Sequence, residues 1–253
     1  MPKLNRNGIN LNYEIHGSGP AILLSHGYSA TLEMWRGQIA PLTRQHQLIL
    51  WDMRGHGQSD SPEAASAYSE EETVADMAAL LDAAGADRAI VGGLSLGGYM
   101  SLAFYRAHPQ RVRTLLLFDT GPGFKNDEAR AAWNQRALET AGSFETEGLA
   151  ALRSRTREMA ASTHRSAAGL ARAARGMLAQ RDAQVIVSLP QIKVPTLILV
   201  GADDAHFLAS ADYMAAKISG ARKIVIPNAG HAANLDQPEL FNEAVTQFLT
   251  SST

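Results

Sequence analysis

No cysteine occurs anywhere in the 253 residues. That absence removes disulfides, thiolate catalysis and Cys-ligated zinc or iron–sulfur sites together. Also missing is any run of about 18 apolar residues, the length that a membrane-spanning helix needs. The opening MPKLNRNGINLNYEI lacks the apolar stretch of a secretory signal. Neither membrane insertion nor secretion is expected, and a cytoplasmic location is the default. Charge of one sign is scarce: 23 Lys and Arg against 25 Asp and Glu leave a formal net charge of -2, so nucleic acid is not an expected partner. No glycine loop runs into GK[ST], and Gly55-His56-Gly57-Gln58-Ser59-Asp60 carries aspartate where a dinucleotide loop needs its third glycine. His26, His56, His206 and His231 include no pair at the H-x-x-x-H spacing of a helical zinc site, so neither metal nor cofactor is expected.

What is present is a chain near the upper size of one hydrophobic core, which favours one domain with a sizeable insertion over two equal domains. No internal repeat or low-complexity linker interrupts it, and nothing in it sets an oligomeric state. Short apolar runs predict strands at Leu11 to Ile15, Ala21 to Ser25, Gln47 to Trp51, Arg88 to Gly92, Thr114 to Phe118, Pro195 to Val200 and Arg222 to Ile226. From the third run onward they alternate with helical patterns at about 70–84, 96–107, 208–219 and 238–250. Runs such as Leu48-Ile49-Leu50-Trp51 and Leu115-Leu116-Leu117-Phe118 are apolar at every position, as strands buried on both faces are. The fold class is therefore α/β, a doubly wound, mostly parallel sheet with an antiparallel hairpin at its start. Some seventy residues between Phe118 and Pro195 break the rhythm, rich in Ala, Arg and Glu and too many for a connection. Residues 121–190 are read as an inserted helical cap, and 1–120 with 191–253 as the core domain.

The stretch VGGLSLGGY at 91–99 crowds one serine with four glycines. Glycine serves where a Cβ would clash or φ is positive, so a sharp turn is expected between a short strand and a helix, with Ser95 at the join. Gly93-Leu94-Ser95-Leu96-Gly97 fits G-x-S-x-G, the nucleophile elbow. Ligand sites of open α/β sheets lie beyond the carboxyl ends of the strands. That edge collects His26-Gly27-Tyr28, Asp52, Ser95, Asp119, Asp203-Asp204 and Gly230-His231: a nucleophile, candidate carboxylates and a base. A serine hydroxyl needs a base to take its proton, the imidazole needs a carboxylate on its other nitrogen, and the oxyanion needs backbone N–H groups. Leu96, at a helix start, is positioned to give one such N–H, and the loop His26-Gly27-Tyr28 the second.

SHGYSATLEMW at 25–35, DMRGHGQSD at 52–60, GLSLGG at 93–98, PTLILVGADD at 195–204 and NAGHAANLDQPELF at 228–241 together resemble the α/β-hydrolase superfamily over nearly the whole chain. Among small-capped members the chain is most similar to bacterial esterases, enol-lactonases and cofactor-free haloperoxidases or perhydrolases. The resemblance implies Ser95 as nucleophile, His231 as base, Tyr28 and Leu96 as the oxyanion donors, and Asp204 as the acid, three residues past Gly201. Asp119 is the alternative acid, because some members keep theirs after the preceding strand. Asp203 reads as a turn residue, His56 and His206 as structural, and His26 as part of a family loop motif rather than a proton carrier.

The function expected is a serine hydrolase of a small or medium carboxylic ester or lactone, with no cofactor. Perhydrolysis or lyase chemistry on the same triad, or a non-catalytic ligand-binding role, are the alternatives. Residues 121–190 hold ten Lys or Arg (including Arg153 and Arg155) against seven Asp or Glu, and most of these charges are expected to face solvent. Trp133, Leu138, Phe144, Leu149, Leu152, Met159, Leu170, Met177 and Leu178 are expected to cover both sheet and pocket, which leaves little apolar surface for a long acyl chain.

Overall fold

The computed structural model describes residues 3–152, 156–160 and 162–251. β1 (Lys3–Arg6) and β2 (Ile9–Gly17) form a hairpin whose two-residue turn, Asn7-Gly8, has φ of 53° and 83°. Asn-Gly suits that turn because matching the twist of the strands requires positive φ at both positions. The chain continues through β3 (Ala21–Ser25), α1 (Arg36–Leu42), β4 (Gln47–Trp51), α2 (Glu70–Ala83), β5 (Ala89–Leu94), α3 (Leu96–Ala107) and β6 (Val112–Phe118). Next come α4 (Asp127–Glu147), α5 (Arg157–Ala160), α6 (Ala167–Ala173) and α7 (Gln184–Ser188). The core then resumes with β7 (Thr196–Gly201), α8 (Ala205–Lys217), β8 (Arg222–Ile226), α9 (Ala233–Asp236) and α10 (Pro238–Ser251).

The eight strands form one sheet in the order β1-β2-β4-β3-β5-β6-β7-β8, antiparallel over the first two pairings and parallel from β4 onward. Alternation explains the continuous apolar runs. Leu23, Ile49, Trp51, Val91 and Leu115 enter the core shared with Met77 and Leu80 of α2 and Phe104 of α3. Their neighbours Ile22, Leu24, Leu48, Leu50 and Ile90 enter the opposite core with Trp35, Phe241 and Phe248. A strand covered on both faces has no polar side to show. Among the described residues no helix is long and apolar enough to cross a membrane.

Local chemistry fixes the helix starts. Ser69 caps α2 by accepting the Glu72 N–H at 3.1 Å, and Glu70, Glu71 and Glu72 occupy the positive end of the helix dipole. Asn126 caps α4 in the same way at 2.8 Å, and Ser166 caps α6 at 3.0 Å.

The sequence reading did not include β1 or α1. β1 alternates exposed and half-buried residues, and the seven-residue α1 holds Gly37 and Pro41, which weaken the helical signal. The helix expected from about 208 begins at Ala205. In the insertion, Leu138 and Leu149 do not cover sheet or pocket as expected: they are 44% and 37% exposed, while Phe144, Leu170 and Met177 are buried. Arg136, Arg157, Arg165, Arg175 and Arg181 are exposed, and Arg130 and Arg172 are half-buried. Arg153 and Arg155 lie outside the described residues.

Candidate active site

Ser95 stands between β5 and α3 with φ 54° and ψ −115°. A side chain in that region costs roughly 1–3 kcal/mol and persists only where the surroundings enforce it. They do so here on both sides of the residue. The Ser95 N–H donates to the Phe118 carbonyl at 2.9 Å, and its own carbonyl accepts the Thr120 hydroxyl at 2.6 Å. The flanking glycines have a steric cause: a Cβ on Gly93 or Gly97 would run into the Ser25 carbonyl oxygen at the end of β3. The turn is closed so tightly against the neighbouring strand that only hydrogen fits.

Leu96 opens α3, where the first amides of a helix have no intrahelical acceptor. Across from it, the loop after β3 brings Gly27 beside the elbow, close enough that a Cβ there would lie 3.6 Å from Cβ of Ser95. This loop is held from behind. His26 binds the Gly27 carbonyl through Nδ1 at 2.7 Å and accepts the Met53 N–H at Nε2 at 2.9 Å. The Tyr28 hydroxyl donates to the Leu170 carbonyl at 2.8 Å, so its side chain ties this loop to α6 of the insertion.

Nδ1 of His231 lies 2.7 Å from Oδ2 of Asp204, which is 7% exposed. Asp204 precedes α8 but does not cap it, its side chain being turned to the imidazole instead. The ring of Phe207, one turn into α8, stacks on the imidazole at 5.1 Å between centroids and 22° between planes. Burial works against a charged His231 ring, but the hydrogen bond and charge of Asp204 outweigh it, and the pKa is raised above the ordinary value.

Asp119 lies close to this pair but its bonding differs. Its Oδ1 accepts the Gly201 N–H at 2.7 Å, and among the described residues its Oδ2 is buried without a hydrogen bond. Burial raises its pKa to about 8, so it is largely protonated near neutrality, and it is an oxygen of Asp204 that faces the ring.

Two chambers meet at Ser95. One is lined by Leu96, Tyr99, Phe124, Trp133 and Gln180. The other is lined by Gly27, Tyr28, Glu158, Met159 and His231. Among the described residues the Ser95 hydroxyl and the His231 ring share this second chamber without a direct hydrogen bond. Such bonds are commonly long before substrate arrives.

The histidines read as structural or as part of a loop motif take different positions. His26 and His56 are fully buried with ring centroids 5.0 Å apart, and His164 of the insertion joins them 5.9 Å from His56. His164 accepts the Gly57 N–H at Nδ1 and donates Nε2–H to the Ser29 carbonyl, linking the insertion to two core loops. His206 is exposed beside Arg136, and Asp203 is an exposed turn residue. The sequence reading gave no role to Phe207, Glu158 or Gln180. Phe207 had a weak signal in its place just after Asp204. Glu158 and Gln180 sit on a four-residue helix and in a loop, where no periodicity marks which side chains turn inward.

A family model described as the alpha/beta hydrolase fold matches residues 20–181, more than half of the chain. A 3-oxoadipate enol-lactonase of Acinetobacter baylyi is 29% identical over 98% of this chain and 96% of its own length. A Bacillus subtilis protein that bears a provisional name as a 2-succinyl-6-hydroxy-2,4-cyclohexadiene-1-carboxylate synthase is 27% identical over 95% of this chain and 96% of its own. Among solved structures, a thermophilic esterase of Thermogutta terrifontis superposes with a TM-score of 0.86 at 28% identity, covering 100% of each chain.

Proposed function

Because the chain belongs to the α/β-hydrolase fold family, we propose that it is a serine hydrolase of small or medium carboxylic esters or lactones. The observation that carries this reading is one chamber holding both Ser95, on its strained strand-to-helix turn, and His231, whose far nitrogen is engaged by buried Asp204. In the proposed reaction Nε2 of His231 takes the proton of Ser95 Oγ as that oxygen attacks the carbonyl carbon. The backbone N–H groups of Leu96 and Tyr28 receive the oxyanion, each worth on the order of 10²–10³ in rate. As the tetrahedral intermediate collapses, His231 returns the proton to the departing alkoxide, and an acyl group remains on Ser95. Water, deprotonated by the same ring, then releases the acid. With a lactone the departing oxygen stays tethered, and one hydroxy acid is the product.

In this reading residues 1–120 and 191–253 act as the catalytic core domain and residues 121–190 as the cap that roofs the two chambers. No step calls for a metal or cofactor. The enol-lactonase and esterase relatives support the ester and lactone substrate class. The Bacillus subtilis relative, which bears a synthase name, favours a second reading, in which the same triad runs a non-hydrolytic reaction. Turnover of p-nitrophenyl acetate and simple γ- and δ-lactones by the wild type and by Ser95→Ala tests the proposal. Ester or lactone hydrolysis that Ser95→Ala loses supports it, and equal rates in the two proteins contradict it.

A further inference from the structure

The two chambers at Ser95 divide the substrate between them, an argument that rests on the hydrolase reading above. His231 must deliver a proton to the departing oxygen, so the leaving group occupies the chamber that His231 lines. The acyl group takes the other chamber, to whose wall His231 does not contribute.

That acyl chamber is walled largely by Tyr99, Phe124, Trp133 and Phe207, and besides the hydroxyl residues Thr120 and Ser210 its lining holds one amide side chain, Gln180. Gln180 is 9% exposed, and among the described residues its Oε1 is buried with no hydrogen-bond partner. A buried acceptor left unpaired is costly and uncommon in native proteins. The surrounding structure holds it in place. Asn134 of α4 grips the main chain of Gln180 twice, accepting its N–H at 2.7 Å and donating Nδ2–H to its carbonyl at 2.8 Å. The adjacent Trp133 donates Nε1–H to the Leu178 carbonyl at 2.8 Å. These three bonds strap residues 178–180 against α4 while the Gln180 side chain turns into the chamber. Gly123, at φ 90°, makes room for it: a Cβ there would stand 2.7 Å from Oε1 and 3.4 Å from the Tyr99 ring.

We propose that Gln180 determines specificity by accepting a hydrogen bond from a hydroxyl or amide N–H carried on the acyl group. The preferred substrate is then a short ester or lactone whose acyl part is polar, rather than a plain alkanoyl ester. A site built to bond such a group discriminates against the analogue that lacks it, because the protein's own polar atom is then left unpaired.

Three methyl esters with acyl chains of equal length test this: methyl pentanoate, methyl 3-hydroxypentanoate and methyl N-acetylglycinate, compared by kcat/KM from acid release. The wild type is expected to favour at least one donor-bearing ester over methyl pentanoate by about tenfold, the scale of one matched hydrogen bond. Gln180→Met, which keeps the length but no acceptor, should bring that ratio close to one, whereas Gln180→Glu, which keeps an acceptor oxygen, should retain it. The proposal is overturned if the wild type shows no preference, if Gln180→Met keeps the wild-type ratio, or if Met and Glu abolish it alike, which marks a packing role. Should Gln180→Met not fold, the wild-type ratio decides. Turnover without preference sinks only the role of Gln180, whereas no turnover of any of the three by the wild type sinks the hydrolase reading with it.

Discussion

Asp204 and Asp119 both lie near His231, yet only Asp204 places an oxygen on its ring, at 2.7 Å from Nδ1. The Oδ1 of Asp119 is instead spent on the Gly201 N–H. An amide at 204 would favour the wrong imidazole tautomer and could not stabilise the imidazolium. Asp204→Asn is therefore expected to lower kcat on p-nitrophenyl acetate on the order of 10³- to 10⁴-fold. Asp119→Asn replaces a largely neutral acid with a group of the same shape and should cost less than about tenfold. The opposite ranking in steady-state kinetics would assign the acid to Asp119.

The pH profile follows from the same pair. In the proposed mechanism only neutral His231 accepts the serine proton, so kcat/KM should rise with pH through one group whose pKa lies above the ordinary histidine value. Glu158, buried in the same chamber, adds a smaller attraction for the charged ring. Glu158→Gln removes this attraction and destabilises the imidazolium, so the acid limb should move to lower pH. A profile that stays in place or moves to higher pH would show that Glu158 does not act on the ring.

Acid should loosen the junction between insertion and core. Burial lowers the pKa of both His26 and His164 to about 4, below the value of an unfolded histidine. The unfolded chain then binds more protons, so stability is full above about pH 6.5 and falls as pH drops from there toward 4. Thermal unfolding followed by circular dichroism should give a Tm that declines over this window, with a shallower decline in His164→Gln. A Tm that stays flat from pH 7 to 4.5 would contradict the assignment.

Acyl length is the fourth test. In the proposed division of the substrate the acyl group enters the chamber lined by Trp133, Phe124 and Gln180, so kcat/KM across p-nitrophenyl esters should peak at acetyl to hexanoyl and fall toward dodecanoyl. A steady climb to dodecanoyl, with activation on emulsions, would mark a lipase.

Much of this was legible in the chain. The strands Ala21–Ser25, Gln47–Trp51 and Arg222–Ile226 match their expected bounds, because apolar runs between turn residues carry their own limits. The elbow could be read because glycine is demanded wherever backbone meets backbone, as Gly93 and Gly97 meet Ser25. What escaped was set by packing over long sequence distances. Leu138 and Leu149 look like core residues and face solvent, while His164 bonds to Gly57 and Ser29 from more than a hundred residues away. Gln180 looks like an ordinary loop residue until Asn134 is seen to hold its backbone.

The central claim is that the Ser95 oxygen becomes acylated. Intact mass spectrometry after treatment with a fluorophosphonate, followed by peptide mapping, tests it most directly. The account predicts one adduct per chain, located on Ser95, absent from Ser95→Ala and strongly slowed in His231→Ala. A folded wild type that takes no label while turning over its substrate, or a label on any other residue, would contradict it.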